Sequence, residues 1–413
     1  MRLNQKEQAM LNGEFGEPSQ WAMEHMLQVG RMFDAEDFVT VSQAHMMADP
    51  ESLGDAGVSF LEQLANHGPE SQVCIPMITD PRGVDLDQYQ AMGQTEEMAQ
   101  FERRTITACE KLGILMTNTC INYQITMPPV LGDHVAYGDT GVVIYSNSVL
   151  GARSNFEGGP SALAAGLTGR TPRYGLHLDA KRQATRRFVV KHQPQDLTEW
   201  GLLGGEIGRR CNSYWEVPVI QGIESAPTSD SLKHFGAAMA SFGSTPLFHI
   251  VGITPEAHTL ESVCQNGAPA AEEILLSDID QLQGQFGRSG DKVDVVVFAA
   301  PQLSIVELSD LAKLLDGKTR HPQTDMIVCT APGVAADSRR FGLTQIIEDF
   351  GAKLLTGTCF YNQYAKEIGE ANGWTHLLSN STKIVNIISG YGYQPALRSM
   401  KECVDAAVAG EIQ

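Results

Sequence analysis

The chain has 413 residues, of which 42% are apolar and 19% are charged. A chain of this length and composition buries a large core, normally in two or three domains, so disordered and fibrous architectures are excluded. Thirty basic against 49 acidic side chains give a net charge of −19, which repels polyanions. We therefore predict a globular protein that has no nucleic-acid partner.

The cysteine pattern and the N-terminus predict a cytoplasmic protein. Eight cysteines are irregularly spaced without a C-x-x-C pair, which is typical of a reducing compartment. The first residues are polar, and no apolar run approaches the roughly 18 residues that a membrane span needs. We expect neither a signal peptide nor a membrane anchor.

The first part of the chain alternates helical and strand patterns. Apolar spacing and turn residues predict helices over 18–33, 55–68 and 96–114, and strands over 37–45, over 71–80 and up to Cys120. His45 ends the first of these strands, a position where a histidine titrates or donates to a substrate. A structural histidine is the alternative interpretation.

Residues 145–160 form a glycine-rich segment that we interpret as a substrate loop. A predicted strand over 140–149 enters this loop, and a helix begins near Pro160, where its free N–H groups suit an anion. Arg153 offers paired donors to a carboxylate, although an arginine that only fixes the loop is the alternative. The predicted substrate-binding residues are Ser148, Arg153, Asn155, Glu157, Gly158, Gly159 and Ser161.

The C-terminal part predicts a parallel sheet. Apolar strands over 244–253, 292–300, 324–331 and 352–360 alternate with helices over 270–287, 303–317 and 339–351. Such a βαβ series has helices on both faces and binds ligands beyond the carboxyl ends of its strands. We divide the chain into an N-terminal α/β region, 1–240, and a C-terminal parallel α/β domain, 241–413.

Cys120 and Cys359 stand apart from the other cysteines because each ends a predicted strand and enters a polar loop. Two thiolates at such positions predict a shared metal ion, with Cys329 in reserve; buried structural thiols are the alternative. Lys383, after another apolar run, joins His45 as a predicted catalytic residue. The sequence has no H-E-x-x-H, P-loop or G-x-S-x-G motif. Zinc-protease, P-loop nucleotide and serine-hydrolase chemistry therefore lack their usual sequence support.

Several motifs resemble the aconitase X family. The longest is YSNSVLGARSNFEGGPSALAAGLTGRTPRYGLHLD at 145–179, supported by HIVGITPEA at 249–257, LSIVELSDLAKLL at 303–315 and SNSTK at 379–383. The resemblance implies an α/β fold: an aconitase-like multi-domain large subunit with parallel βαβ sheets that lacks the swivelling domain. That domain would belong to a small subunit thought to carry a catalytic serine, so we expect a heterodimer or a larger assembly.

The same resemblance implies a hydro-lyase that removes water from a small hydroxy acid. One arginine suits a bare carboxylate, and a phosphorylated substrate would need further basic groups. Cis-3-hydroxy-L-proline, which yields Δ1-pyrroline-2-carboxylate, is therefore the first choice. Mevalonate 5-phosphate is the alternative substrate, and a non-catalytic or altered-substrate paralogue is a further alternative.

The cofactor implied by the resemblance is iron, as a single ion or an iron–sulfur centre held by three cysteines. Cys120 and Cys359 match two of the ligands, whereas Ala300-Pro301-Gln302 replaces the Cys-Pro-His-like turn that supplies the third. Alanine has no ligand atom, so three thiolates cannot assemble in the usual way. A mononuclear metal with two thiolates, a metal-free dehydratase with a proton donor, and an altered paralogue all remain open.

Overall fold

Residues 1–183 build a small parallel sheet with helices around it. The computed structural model describes residues 1–413. The helices of this region are α1 Gln5–Leu11, α2 Glu17–Met32, α3 Pro50–Ala65, α4 Glu96–Lys111, α5 Asn122–Ile125, α6 Thr140–Ser148 and α7 Gly159–Thr168. The strands are β1 Phe38–Thr40, β2 Ala44–Met46, β3 Met77–Thr79, β4 Ala136–Tyr137 and β5 Arg170–Pro172. Strands β3, β2 and β4 are parallel in that order, and β1 pairs antiparallel with β5.

The strand predicted over 140–149 is wrong, because these residues form α6. The helix begins after Asp139, whose side chain accepts a 2.8 Å hydrogen bond from the backbone N of Val142. Every residue from Gly141 to Ser148 is buried. A helix that is buried all round shows no amphipathic period, so its apolar run looks like a strand.

Residues 184–283 form a second, four-stranded parallel sheet. Its elements are β6 Arg186–Val190, α8 Leu197–Cys211, β7 Pro218–Gln221, α9 Ser229–Gly243, β8 His249–Ile250, β9 Ala271–Ile274 and α10 Leu276–Gln283. The strand order is β8-β7-β6-β9. The predicted boundary at residues 240–241 lies inside α9. The helix predicted over 270–287 is wrong at its start, because pairing of β9 with β6 overrides the helical propensity of that segment.

Residues 293–413 form the predicted parallel βαβ sheet, which the structure confirms. The strands are β10 Val295–Leu303, β11 Asp325–Thr330, β12 Lys353–Thr356, β13 His376–Ser379 and β14 Gln394–Leu397. The helices are α11 Ile305–Leu315, α12 Pro332–Arg340, α13 Leu343–Asp349, α14 Ala365–Asn372, α15 Thr382–Ile387 and α16 Met400–Ala409. The order is β12-β11-β10-β13-β14, all parallel, and all nine residues of the central β10 are buried.

The first and third sheets meet at their carboxyl ends. After β3, the backbone N of Arg82 donates a 2.8 Å hydrogen bond to the carbonyl O of Gly357, after β12. A core of 69 buried residues runs through the second and third regions and reaches Cys120. The predicted α/β class with parallel sheets is confirmed. None of the helices is long and apolar enough to cross a membrane.

Candidate active site

Cys120 and Cys359 lie together where the two sheets meet. The strand predicted up to Cys120 is wrong: the segment runs beside β3 but leaves the ladder near Asn118, whose φ of 51° is left-handed. Cys359 follows β12. A hydrogen bond with the Cys359 thiol, together with burial, raises the pKa of Cys120 well above its ordinary value. Cys329 is buried on β11, where the Thr358 hydroxyl contacts its sulfur at 4.0 Å.

Lys383 and Asp139 form a buried ion pair at the same place. The Lys383 Nζ lies 3.5 Å from the Asp139 Oδ2 and 5.4 Å from the ring centre of Tyr361. Burial disfavours the ammonium, but the Asp139 carboxylate and the two cysteine sulfurs outweigh burial and raise the pKa of Lys383. Lys383 is therefore charged at neutral pH.

His45 and Asp80 complete this buried group. The His45 Nε2 lies 3.2 Å from the carbonyl O of Thr119 and 3.5 Å from the Asp80 Oδ1. Burial, with the nearby Asp139 carboxylate, raises the pKa of Asp80 well above its ordinary value, and burial lowers the pKa of His45. These shifts favour the protonated carboxyl of Asp80 and the neutral imidazole of His45. The His45 Nδ1 and the Asp80 Oδ1 are buried and have no hydrogen-bond partner in the protein.

We call His45, Asp80, Asp139 and Lys383 the acid–base centre. A protonated carboxyl, a neutral imidazole and an ammonium paired with a carboxylate can donate, accept and stabilise charge without solvent. Sequence analysis proposed His45 and Lys383 but missed both aspartates. The available signal was that Asp80 ends a predicted strand, the type of position that singled out His45.

The turn that would hold a third cysteine is filled by protein. The carbonyl O of Ala300 accepts a 2.6 Å hydrogen bond from the Ser381 hydroxyl. The buried Gln302 Nε2 donates to the carbonyl oxygens of Asn118, Thr330 and Thr358 at 3.2, 3.3 and 3.0 Å. No three His, Cys, Asp or Glu side chains gather as ligands for a metal ion. A cluster held by three thiolates does not fit these residues.

The predicted substrate residues Arg153 and Asn155 contact other parts of the protein. The Arg153 guanidinium pairs with the Asp179 carboxylate. The Asn155 Oδ1 accepts hydrogen bonds from the Leu176 backbone N at 3.0 Å and from the Tyr214 hydroxyl at 2.8 Å. Neither side chain contacts the acid–base centre, and their binding to a substrate stays a prediction.

Two predicted serines also have protein partners. The Ser148 hydroxyl accepts from the Phe248 backbone N at 2.9 Å, and the Ser161 hydroxyl lies 3.0 Å from the His25 Nε2. These contacts connect α6 with the residue before β8, and α7 with α2. Both residues therefore hold neighbouring elements in place, whatever they do with a substrate.

The N-terminus of α7 lies next to the segment that carries Asp139. Gly158 and Gly159 begin the helix without a side-chain cap, and a Cβ on Gly158 would meet no atom within 4 Å. A Cβ on Gly138, just before Asp139, would lie 3.0 Å from the carbonyl O of Glu157. Burial raises the pKa of Glu157 to about 7. The predicted glycine pair thus borders the edge that carries Asp139.

Family models cover almost the whole chain. The first domain of aconitase X matches residues 1–180, the second matches 184–283 and the third matches 293–409. The crystal structure of Thermococcus kodakaraensis aconitase X in its holo-form is 28% identical, with a TM-score of 0.89, over 98% of this chain and 100% of that one.

Two kinds of curated relative match the chain. The phosphomevalonate dehydratase large subunit of Methanothermobacter thermautotrophicus is 33% identical over 94% of each chain. The cis-3-hydroxy-L-proline dehydratase of Pseudomonas aeruginosa is 30% identical over 99% of this chain and 70% of that protein. The predicted family and its dehydratase chemistry are confirmed. The chain belongs to the aconitase X family and is a hydro-lyase.

Proposed function

We propose that this chain is the cytoplasmic large subunit of a dehydratase that acts on cis-3-hydroxy-L-proline and forms Δ1-pyrroline-2-carboxylate. The observation that carries the proposal is the acid–base centre, in which burial favours the protonated form of Asp80 beside the Lys383 ammonium. Elimination of water needs a proton for the departing hydroxyl and a base for the C–H proton. The centre supplies the first of these groups.

In the proposed reaction, Asp80 donates its proton to the substrate hydroxyl, the C–O bond breaks and water leaves. The Lys383 ammonium stabilises the Asp80 carboxylate that results, because the two groups already interact through space. His45 hydrogen-bonds the hydroxyl through its unpartnered Nδ1. We assign removal of the C–H proton to the small subunit, where the family resemblance places a catalytic serine, and return of that proton to Asp80 completes the cycle.

The substrate carboxylate is proposed to bind at the N-terminus of α7. The N–H groups of Gly158, Gly159 and Ser161 carry the positive end of the helix dipole and have no side-chain cap. Arg153 adds a cation to the preceding loop, where Asp179 holds it. Ser148 and Asn155 fix this loop by the contacts described above, and Glu157 does so by accepting a 2.8 Å hydrogen bond from the Thr171 hydroxyl.

The partner is also a proposal, whereas the residues of this chain do not by themselves support a metal ion. The archaeal relatives are named large subunits, which supports a small subunit here and at least a heterodimer. A single iron ion held by Cys120 and Cys359 would need its other ligands from outside this chain, because no third ligand side chain joins them. Metal analysis of the purified assembly tests that possibility.

Mevalonate 5-phosphate is the second candidate substrate. It is favoured by the relative with 33% identity, whose length this chain matches more closely than it matches the hydroxyproline enzymes. Hydroxyproline is favoured because Lys383 is the one cation in the acid–base centre and Asp139 already pairs with it. A phosphate dianion would bind more strongly where further basic groups are present.

The deciding experiment is turnover of both compounds by this chain co-expressed with its small subunit. We expect dehydration of cis-3-hydroxy-L-proline, with loss of about 10²–10⁴-fold in rate for Asp80→Asn, because that change removes the proton donor. Asp337→Asn, at an exposed position on α12, is the matched control. If only mevalonate 5-phosphate is turned over, it replaces cis-3-hydroxy-L-proline as the proposed substrate. If neither compound is turned over, the result favours an altered paralogue.

A further inference from the structure

Gln302 is a buried carboxamide that connects three loops at the carboxyl end of the third sheet. Its Nε2 reaches three backbone carbonyls, which belong to the Cys120 loop, the end of β11 and the residue before Cys359. Its side chain has no solvent exposure. A buried amide of this kind fixes the groups that it bonds, because breaking these hydrogen bonds would leave buried polar atoms without a partner.

A buried cluster of charged side chains contacts the backbone of Gln302. The Lys233 Nζ donates to the Gln302 carbonyl O at 3.2 Å and pairs with the carboxylates of Glu307 and, at 3.0 Å, Asp230. The His234 Nε2 lies 2.7 Å from the other oxygen of Glu307. The Lys233 side chain is fully buried, so its contacts fix the position of the Gln302 peptide group.

Gln302 also contacts the thiol pair directly. Its backbone N lies 3.4 Å from the Cys120 Sγ, and its Oε1 accepts from the Cys120 backbone N at 3.4 Å. The Nε2 bond to the carbonyl O of Thr358 holds the residue that precedes Cys359. One side chain therefore sets the separation between the two loops that carry the thiols.

We propose that Gln302 is a positioning residue that keeps the thiols of Cys120 and Cys359 adjacent as a metal-free dithiol, in place of a cluster with a third cysteine. The inference deepens the proposed function, because this dithiol lies beside Lys383 in the same site. It follows from the ligand atoms that are present: Ala300 provides none, and the Oε1 of Gln302 already accepts from the Cys120 backbone N.

The first test measures the spacing of the thiols by disulfide formation. In the anaerobic assembly with the small subunit, diamide removes two electrons and two protons from adjacent thiols and becomes the hydrazine. Peptide mapping should show a Cys120–Cys359 disulfide, which Cys329→Ser retains. Gln302→Met, of similar size but without hydrogen bonds, should slow its formation about tenfold by separating the thiols.

Gln94→Met is the matched control, because the buried Gln94 Nε2 also donates to two carbonyls, those of Gly83 and Gln363, at 2.9 and 3.0 Å. This control should form the disulfide at the wild-type rate. General loosening of the fold would expose thiols in both variants alike. An unchanged rate in Gln302→Met, or an equal loss in both variants, would overturn the positioning role.

The second test needs only the wild-type protein. After incubation with ferrous iron and sulfide, the assembly should show no visible absorption and no acid-labile sulfide from a bound cluster. Formation of a stoichiometric cluster would refute the metal-free dithiol. Neither test uses turnover, so an inactive protein that passes both would contradict only the proposed dehydration.

Discussion

Asp139→Asn separates two roles of one side chain. Asp139 caps α6 through the Val142 backbone N at 2.8 Å, and it pairs with Lys383 at 3.5 Å. Asparagine is as good an N-cap as aspartate, so the helix should remain while the charge is lost. Any functional change in this variant then reports the loss of the Asp139 charge, which acts on both Lys383 and Asp80.

The size of the effect follows from the distance and the burial. Two unit charges 3.5 Å apart interact by about 5 kcal/mol at an effective dielectric constant of about 20. Asp139 and Lys383 are only 3% and 7% exposed, so solvent screens them little. Because the Lys383 ammonium keeps other partners in the site, we expect Asp139→Asn to remove about 3 kcal/mol of its stabilisation.

The consequence is a change in pH dependence. The raised pKa of Lys383 means that its contribution to stability is present below the pKa of an unfolded lysine and is lost as pH rises through the folded pKa. Without Asp139 the folded pKa falls, so that loss, and the alkaline decline in kcat/KM, should occur at lower pH.

The assay is kcat/KM of the assembled enzyme against pH, alongside the thermal midpoint. Asp139→Ala should show the same shift and lose about 1 kcal/mol more in stability, because it also removes the cap. Asp337→Asn breaks an exposed pair with Arg340 at 3.4 Å and should leave the profile unchanged. An Asp139→Asn profile that superimposes on wild type would refute the dependence of Lys383 on Asp139.

Three further predictions concern other parts of the chain. Cys359→Ser should move the alkaline decline in kcat/KM to lower pH, because the Cys359 sulfur contributes to the raised pKa of Lys383, whereas Cys403→Ser, buried on α16, should leave it unchanged. Burial raises the pKa of Glu102 from 4.5 to about 8. The native state therefore binds an extra proton between these two pH values, and its stability falls as pH rises through them. Glu102→Gln should make the thermal midpoint less dependent on pH across that range. A Cβ on Gly208 would lie 2.4 Å from a backbone carbonyl of α9, so Gly208→Ala should lower the thermal midpoint, whereas Gly333→Ala, with open space, should not. Equal midpoints for the two alanine variants would contradict the close approach of α8 and α9.

The C-terminal sheet could be predicted because local signals and tertiary structure agree there. Strands β10 and β11 are continuous apolar runs between amphipathic helices, and parallel strands covered on both faces have this pattern. The position of strand ends then predicted that Cys120 and Cys359 would meet. That inference succeeded although the segment before Cys120 is not a strand, because it still runs beside β3.

The acid–base centre was less predictable because its members are ordinary residues until the sheets face each other. Asp80 follows β3 and Lys383 lies in α15, about 300 residues apart in sequence. Only burial next to Asp139 changes the ionisation of both side chains, and a short-range pattern carries no information about burial by a distant element. A strand end therefore indicates where chemistry is possible, but not which residue performs it.

At Gln302, too, the structure shows a role that the sequence does not indicate. In the sequence, Ala300-Pro301-Gln302 indicates that a metal ligand is lost, and nothing about a glutamine predicts that it compensates for the loss. In the structure, its side chain bonds the loops that a three-cysteine cluster would otherwise connect. A missing ligand thus leaves two separable questions, whether the metal is lost and whether the site geometry is lost. The hydrogen bonds of Gln302 explain how the geometry persists when the third thiol is absent.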